Sequence, residues 1–483
     1  MRFMLRTMVL GVACWLAAHS LQASTFSVAQ YGAKGDGTTM ATKAIQATID
    51  AAAKRGGTVT FPAGTYLTGS LFVKSNVILE VGRGVTLLGS QDLKDYPEMP
   101  MRVAGIEMTW PAALINIYKQ THAAISGQGT IDGNGKVFWD SYWALRKIQE
   151  PKGLRWASDY DTKRPRLIQV FDSSSVRVGG GLLLKRPGFW TLHICYSHDV
   201  TVDGVTIRAN ILVDGVTIKT AREGHGPSTD GVDIDSSRRI VVAHADIENN
   251  DDALCLKAGR DADGLRVNRP TEDVVIRDSI IRTAAAGVTF GSETSGGFRN
   301  IEVYNLHTLQ GVPSGILFKS AHTRGGFGEN IRIHDIVMEN TPTVLRMTMN
   351  WNPSYSYARI PAGLTDVPPY YATLATPVPE DKGIAHFHNV HIWNIKATGA
   401  KIAFDVNGYP AAPLERFTLD HLDIETAMAG HISSAKDWAF RDVVLKVADQ
   451  SSVALTEDVN VTGLPKTGKP SDPNKKAPHG FED

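Results

Sequence analysis

His198-Asp199-Val200-Thr201-Val202-Asp203-Gly204-Val205-Thr206-Ile207 and Arg238-Arg239-Ile240-Val241-Val242-Ala243-His244-Ala245-Asp246-Ile247 are two copies of one pattern. Each opens on a turn pair, runs through alternating apolar residues, turns again and resumes the alternation. Period-two alternation marks strands with one buried face. Further copies begin at Glu272-Asp273-Val274, Arg299-Asn300-Ile301, Glu329-Asn330-Ile331, His388-Asn389-Val390 and Glu415-Arg416-Phe417. Successive starts lie mostly about 27 to 40 residues apart, within the range of solenoid turns. The strand pairs carry no Asn-Gly hairpin signature of the kind an antiparallel meander needs. The pattern predicts an all-β chain wound as a parallel β-helix. One coil buries too little at roughly 25 cal/mol per Å² of apolar area, so the stack is the stable unit.

The rest of the chain divides around this repeat. Arg2 and Arg6, the apolar run Met8 to Ala18, and small residues at Ala18, Ser20 and Ala23 read as a signal peptide over residues 1–23, cleaved after Ser20 or Ala23. The run is too short to span a bilayer, and no later segment reads as transmembrane. Export to the periplasm or the extracellular medium is expected. The β-helix domain is expected over 24–462, and 463–483, rich in Pro, Lys and Gly, reads as a disordered tail. Apolar spacing over Met40 to Lys54, ended by Gly56-Gly57, predicts a short helix capping the open end of the stack. Two stretches, 133–166 and 344–386, break the repeat and are rich in Trp and Tyr. Their rings suit either sugar faces or packing against the solenoid.

Fifty Lys plus Arg balance fifty Asp plus Glu, so net charge favours neither nucleic acid nor membrane as partner. Cys195 and Cys255 are the cysteines left after export and are expected as separate free thiols.

Strand parity locates a site. With Val232 and Ile234 pointing inward, Asp233 and Asp235 face outward. In the following coils Ala253, Cys255 and Lys257, then Thr289, then Leu317 and Lys319, share that outer face. This ladder is expected to floor an open groove. Asp251 and Asp252 are adjacent and must sit on a bend, which Asn249-Asn250 allows. Asp230 occupies the matching bend one coil earlier, so Asp230, Asp251 and Asp252 are expected to converge at the groove edge. Three neighbouring carboxylates cannot all ionise freely. One can then give a proton to a leaving oxygen while another activates water, the requirement of glycosidic cleavage, with inverting pairs set roughly 6.5–9.5 Å apart. A calcium site or turn-capping aspartates are the bland alternatives.

From Phe26 to about Ile424 the chain resembles glycoside hydrolase family 28, the polygalacturonases and their relatives. The resemblance rests on Tyr31-Gly32-Ala33-Lys34-Gly35-Asp36-Gly37, Gly127-Gln128-Gly129-Thr130-Ile131-Asp132-Gly133, Phe189-Trp190-Thr191-Leu192-His193, Ser228-Thr229-Asp230 and Asp251-Asp252. It implies a right-handed parallel β-helix and hydrolysis with inversion. It also implies Asp251 as general acid, with Asp230 and Asp252 activating water. Two departures stand out. Ala285 occupies the family's histidine position, and Leu317 the arginine position before Lys319. Their loss turns the expectation from plain homogalacturonan towards rhamnogalacturonan-type or modified galacturonides.

Lys319 is expected to bind a substrate carboxylate, because an outward lysine beside the aspartates offsets their charge. His225, Lys257 and Arg324 are the other candidate substrate-binding residues; His225 is read either as groove-facing or as a turn residue. Arg260, Arg266 and Arg269 follow the aspartate pair in a loop. Lys163-Arg164-Pro165-Arg166 is set aside as a chance basic string. The expected partner is a pectic oligo- or polysaccharide, attacked from a chain end because the two inserts could wall off the groove. No metal or other cofactor is expected, and a monomer is. A calcium-dependent pectate-type lyase and a non-catalytic carbohydrate-binding β-helix are the competing readings.

Overall fold

The computed structural model describes residues 24–209, 212–213, 216–217 and 225–472. The expected signal peptide, residues 1–23, lies outside them.

The repeat folds as read: its strands stack parallel, coil on coil, into one long sheet system. The six strands that carry the site are β1 (Leu192–Cys195), β2 (Val232–Asp235), β3 (Leu254–Lys257), β4 (Ala286–Phe290), β5 (Ser314–Lys319) and β6 (Thr343–Thr348). Their register places Val232 beside Leu254, Leu254 beside Val288, Val288 beside Ile316, and Ile316 beside Leu345. These residues are buried and continue from coil to coil as one apolar column. Each fully buried side chain of this size contributes about 1.5–3 kcal/mol. Phe290 and Phe318 stack face to face at 4.5 Å within it.

Helix α1 (Thr42–Ala53) covers the front end, burying Ile45, Ile49 and Ala52. At the opposite end the expectation of disorder from residue 463 is corrected for the described part, 463–472. There the Ser452 hydroxyl accepts hydrogen bonds from the Thr467 and Gly468 amides at 3.0 and 2.8 Å, and the Ser471 amide donates to the Ser452 carbonyl at 2.8 Å. The polar composition that reads as a solvated tail serves instead to satisfy the open backbone of the last coil.

One corner of the later coils is a single left-handed residue: Asp278, Asn305, Asp335 and Asn394, with φ of 53°, 52°, 55° and 54°. Asp and Asn tolerate this conformation, and their side chains bond between coils: Asn305 to Asp278, and Asn394 to Asp335. Long excursions flank the ladder column: the helix α2 (Lys136–Gln149) lies in the segment that enters it at Ile168, a residue paired with Leu192 of β1, and the segment carrying Trp351 and Tyr355 follows the end of β6.

Candidate active site

Asp230 and the Asp251–Asp252 pair come together as the parity reading requires. The Gly231 amide donates to the Asp252 carbonyl at 2.9 Å, which locks the two bends one coil apart. Asn249 closes the same join, its Nδ2 donating to the carbonyls of Thr229 and Asp252 at 3.1 and 2.8 Å. One side-chain oxygen from each of the three aspartates lies within 4.8 Å of the others.

The ladder exists, but it does not floor an open groove. In register across the coils, Asp233 meets Cys255, Cys255 meets Thr289, and Thr289 meets Leu317, and all four are buried. The inserts fold over the outer face and reduce it to a cavity of about 730 Å³, counting its opening to solvent. Tyr142, Trp143, Arg146, Arg155 and Asp159 from the first insert line it, with Trp351 and Tyr355 from the second. Asp230 and Asp252 sit at its base, 3% and 1% exposed, while Asp251 is half-buried. The Asp252 amide donates to Asp251 Oδ1 at 2.9 Å and fixes that side chain.

Lys319 and Lys257 both line the cavity, and each is held by carboxylates. Lys319 Nζ is 2.9 Å from Asp252 Oδ2 and 4.4 Å from the centre of the Trp351 ring. Lys257 Nζ is within 3.3–3.5 Å of Glu293, Asp230 and Asp233, and 4.7 Å from the Trp190 ring. Burial pushes Asp230 well above the usual carboxylate range, with the Asp233 charge adding and Lys257 opposing. Burial likewise pushes Asp233 up to about 7 against the pull of Lys257. Glu293 goes the other way: Lys257, Arg324 and Lys319 outweigh its burial and hold it below its ordinary value. Asp230 is therefore a group that keeps a proton at pH values where an ordinary carboxylate is ionised. The cause is position: Asp230 lies deep in the site beside Asp233.

His225 lines the cavity, its ring 4.9 Å from that of Trp143, whose indole donates to the His225 carbonyl. Arg324 does not line it. It is 0% exposed, ion-paired with Asp261, and donates to the Ser292 carbonyl at 3.1 Å. Sequence could mark it as charged and near the ladder but not as turned inward. Arg260, Arg266 and Arg269 are also absent from the lining; Arg260 braces the inserts through Tyr160 and the Tyr355 carbonyl. The string set aside as chance is structural: Arg164 and Arg166 are buried, Arg164 holding Asp159 and the Pro227 carbonyl. Glu293, Trp190, Arg155 and Asp159 were missed as site residues. Trp190 and Glu293 stand on loops, and Arg155 and Asp159 on short helical turns of the first insert, Arg155–Ala157 and Ser158–Asp161, whose path over the ladder no periodicity encodes. Cys195 and Cys255 are free thiols as expected. The Cys255 sulfur touches Asp252 at 3.3 Å and Asp230 at 3.7 Å.

Carboxylates stacked on one edge of a parallel β-helix invite comparison with known families. The profile of glycosyl hydrolases family 28 matches residues 54–356. The chain belongs to this family. It is 30% identical over 346 residues to a probable polygalacturonase of Vitis vinifera, covering 69% of this chain and 65% of that protein. It is 28% identical over 380 residues to an exo-poly-alpha-D-galacturonosidase of Dickeya chrysanthemi, covering 70% and 60%. The chain thus spans somewhat under two thirds of the length of these relatives. Its fold is similar to that of the family 28 exopolygalacturonase of Yersinia enterocolitica (TM-score 0.75, 22% identity, 91% of this chain and 78% of that one). It is also similar to an exopolygalacturonase of Thermotoga maritima (TM-score 0.69, 23% identity, 90% and 92%). At such identities the structural likeness speaks for the parallel β-helix alone. Among the described residues no helix is long and apolar enough to cross a membrane.

Proposed function

We propose that this protein is an exported hydrolase of α-galacturonosidic linkages in pectic oligo- and polysaccharides. Rhamnogalacturonan-type or modified galacturonides are its substrates, attacked from a chain end with inversion. The observation that carries the reading is the convergence of Asp230, Asp251 and Asp252 on one cavity, with Lys319 at 2.9 Å from Asp252. Membership of family 28, and the names of the relatives above, agree with it. End-on attack is supported by the inserts, which make the site a cavity and not a through-running groove.

In this reading Asp251, the least buried of the three, gives its proton to the leaving glycosidic oxygen as the C1–O bond breaks. Water attacks C1 from the opposite face and loses its proton to the Asp252 carboxylate, while Asp230, holding a proton, orients that water. Both protons return through solvent after release. Inversion rests on the family resemblance.

The deciding experiment follows hydrolysis of a panel of pectic oligosaccharides, rhamnogalacturonan fragments and modified oligogalacturonides among them, by NMR. Inversion gives the β anomer first, and early α product would overturn it. Asp251→Asn should lower turnover about 10²- to 10⁴-fold, and near-normal turnover would remove Asp251 from the acid role. End-on attack yields short products from the first minutes; an early ladder of intermediate oligomers would refute it.

A further inference from the structure

The ladder positions where the family resemblance expects basic side chains hold Ala285 and Leu317, both buried and neither lining the cavity. The ladder lysines are already matched to carboxylates. A positive charge exists elsewhere on the cavity wall. Asp159 of the first insert accepts from Arg155 at 3.0 Å and from Arg164 at 2.8 Å. Two guanidiniums on one carboxylate leave one positive charge unbalanced in a buried setting. Asp159 is ionised there, since Arg155 and Arg164 outweigh its burial and hold it at about 2. Ser228 Oγ donates to the same carboxylate at 2.9 Å, tying the group to the strand entry that carries Asp230.

Arg155 is the member that faces the ligand space. It lines the cavity, is 9% exposed, and its Nε is buried without a hydrogen-bond partner. Its guanidinium lies 5.1 Å from the centre of the Tyr355 ring, so one insert seats it and the other clamps it. Asp159 takes up one nitrogen of this guanidinium, and a planar guanidinium lining a low-dielectric wall suits a carboxylate above any neutral group.

We propose that Arg155, with the excess charge of the Arg155–Asp159–Arg164 group, recognises the carboxylate of a uronate unit bound next to the cleaved bond. The first insert thereby replaces the recognition that the ladder has lost at Ala285 and Leu317. This rests on the proposed activity and sharpens it: the enzyme selects the free acid over its methyl ester.

The test separates binding from turnover. In the Asp251→Asn background, digalacturonate and its dimethyl ester are titrated by calorimetry into Arg155, Arg155→Lys and Arg155→Met proteins. The acid is expected to bind about 10- to 100-fold more tightly than the ester with Arg155, a charged hydrogen bond's worth. The preference should be reduced in Arg155→Lys and abolished in Arg155→Met. A folding defect would weaken both ligands together and leave the ratio intact. An acid preference that survives Arg155→Met overturns the assignment, as does equal binding of both ligands with Arg155. Selective binding of the acid, with no turnover by the unaltered enzyme, would defeat the hydrolase reading and leave the assignment of Arg155 standing.

Discussion

Replacing Lys257 by Met keeps much of the side chain's bulk beside Trp190 and removes only the ammonium. That group is within 3.3–3.5 Å of Glu293, Asp230 and Asp233, all buried. Removing one partner of a buried charge set costs about 3–5 kcal/mol, because the remaining charges lose their compensation in low dielectric. The variant can escape part of this by taking up protons. Asp233 already holds its proton up to about 7 with Lys257 present, burial being the cause; without the ammonium it and Asp230 must hold theirs to higher pH still. An acid whose folded value exceeds its unfolded one binds more protons when folded. Its contribution to stability therefore falls as pH rises from about 4, the unfolded value, and levels off above the folded value. In Lys257→Met that falling window extends upward. The stability gap between the two proteins should be about 3–5 kcal/mol at pH 8 and shrink to roughly 1–2 kcal/mol at pH 5. Urea denaturation followed by tryptophan fluorescence at pH 5, 6.5 and 8 measures it. A gap that is constant with pH, or widest at pH 5, would show that the ammonium does not offset these carboxylates.

Three further outcomes are expected. Lys319→Met breaks the 2.9 Å pair with Asp252, and kcat/KM on uronate oligomers should fall about 10- to 100-fold; an unchanged value would exclude Lys319 from the site. Arg324→Gln removes one of the two arginines paired with the buried Asp261, leaving Arg260 at 3.2 Å, and should destabilise the fold by about 1–3 kcal/mol without changing KM of the folded enzyme; a raised KM would return Arg324 to substrate contact. Excess chelator should leave turnover unchanged and release no ultraviolet-absorbing unsaturated product, whereas calcium-dependent absorbance would establish elimination in place of hydrolysis.

Strand parity carried the sequence reading far. The alternation at Val232, Leu254, Val288 and Ile316 fixed which side chains stack, and the bend at Asn249-Asn250 placed two adjacent aspartates beside a third. These features are local, with a period of two, and a sequence displays them directly. What covers the ladder was not legible. Cys255 and Leu317 lie on the outer face that parity assigns them, yet they are buried, because excursions from residues 133–166 and 344–386 return over that face. Arg324 shows the same limit: its buried partner Asp261 lies 63 residues away. The proton preference of Asp230 depends on Asp233, which parity had placed nearby, and on a depth of burial that parity cannot measure. The segment 463–472 misled through composition, since serines that suit a solvated tail also suit the closing of an unpaired edge.

The single-residue corners at Asp278, Asn305, Asp335 and Asn394 leave no room there for extra chain, whereas both flanks of the ladder strands accept long additions. Mechanical continuity and molecular recognition are therefore assigned to different sides of the same coil. New loops can be spliced in beside the aspartates, changing which sugars are admitted, while the rungs above and below keep their alignment. A fold divided in this way can diversify its diet without renegotiating its scaffold.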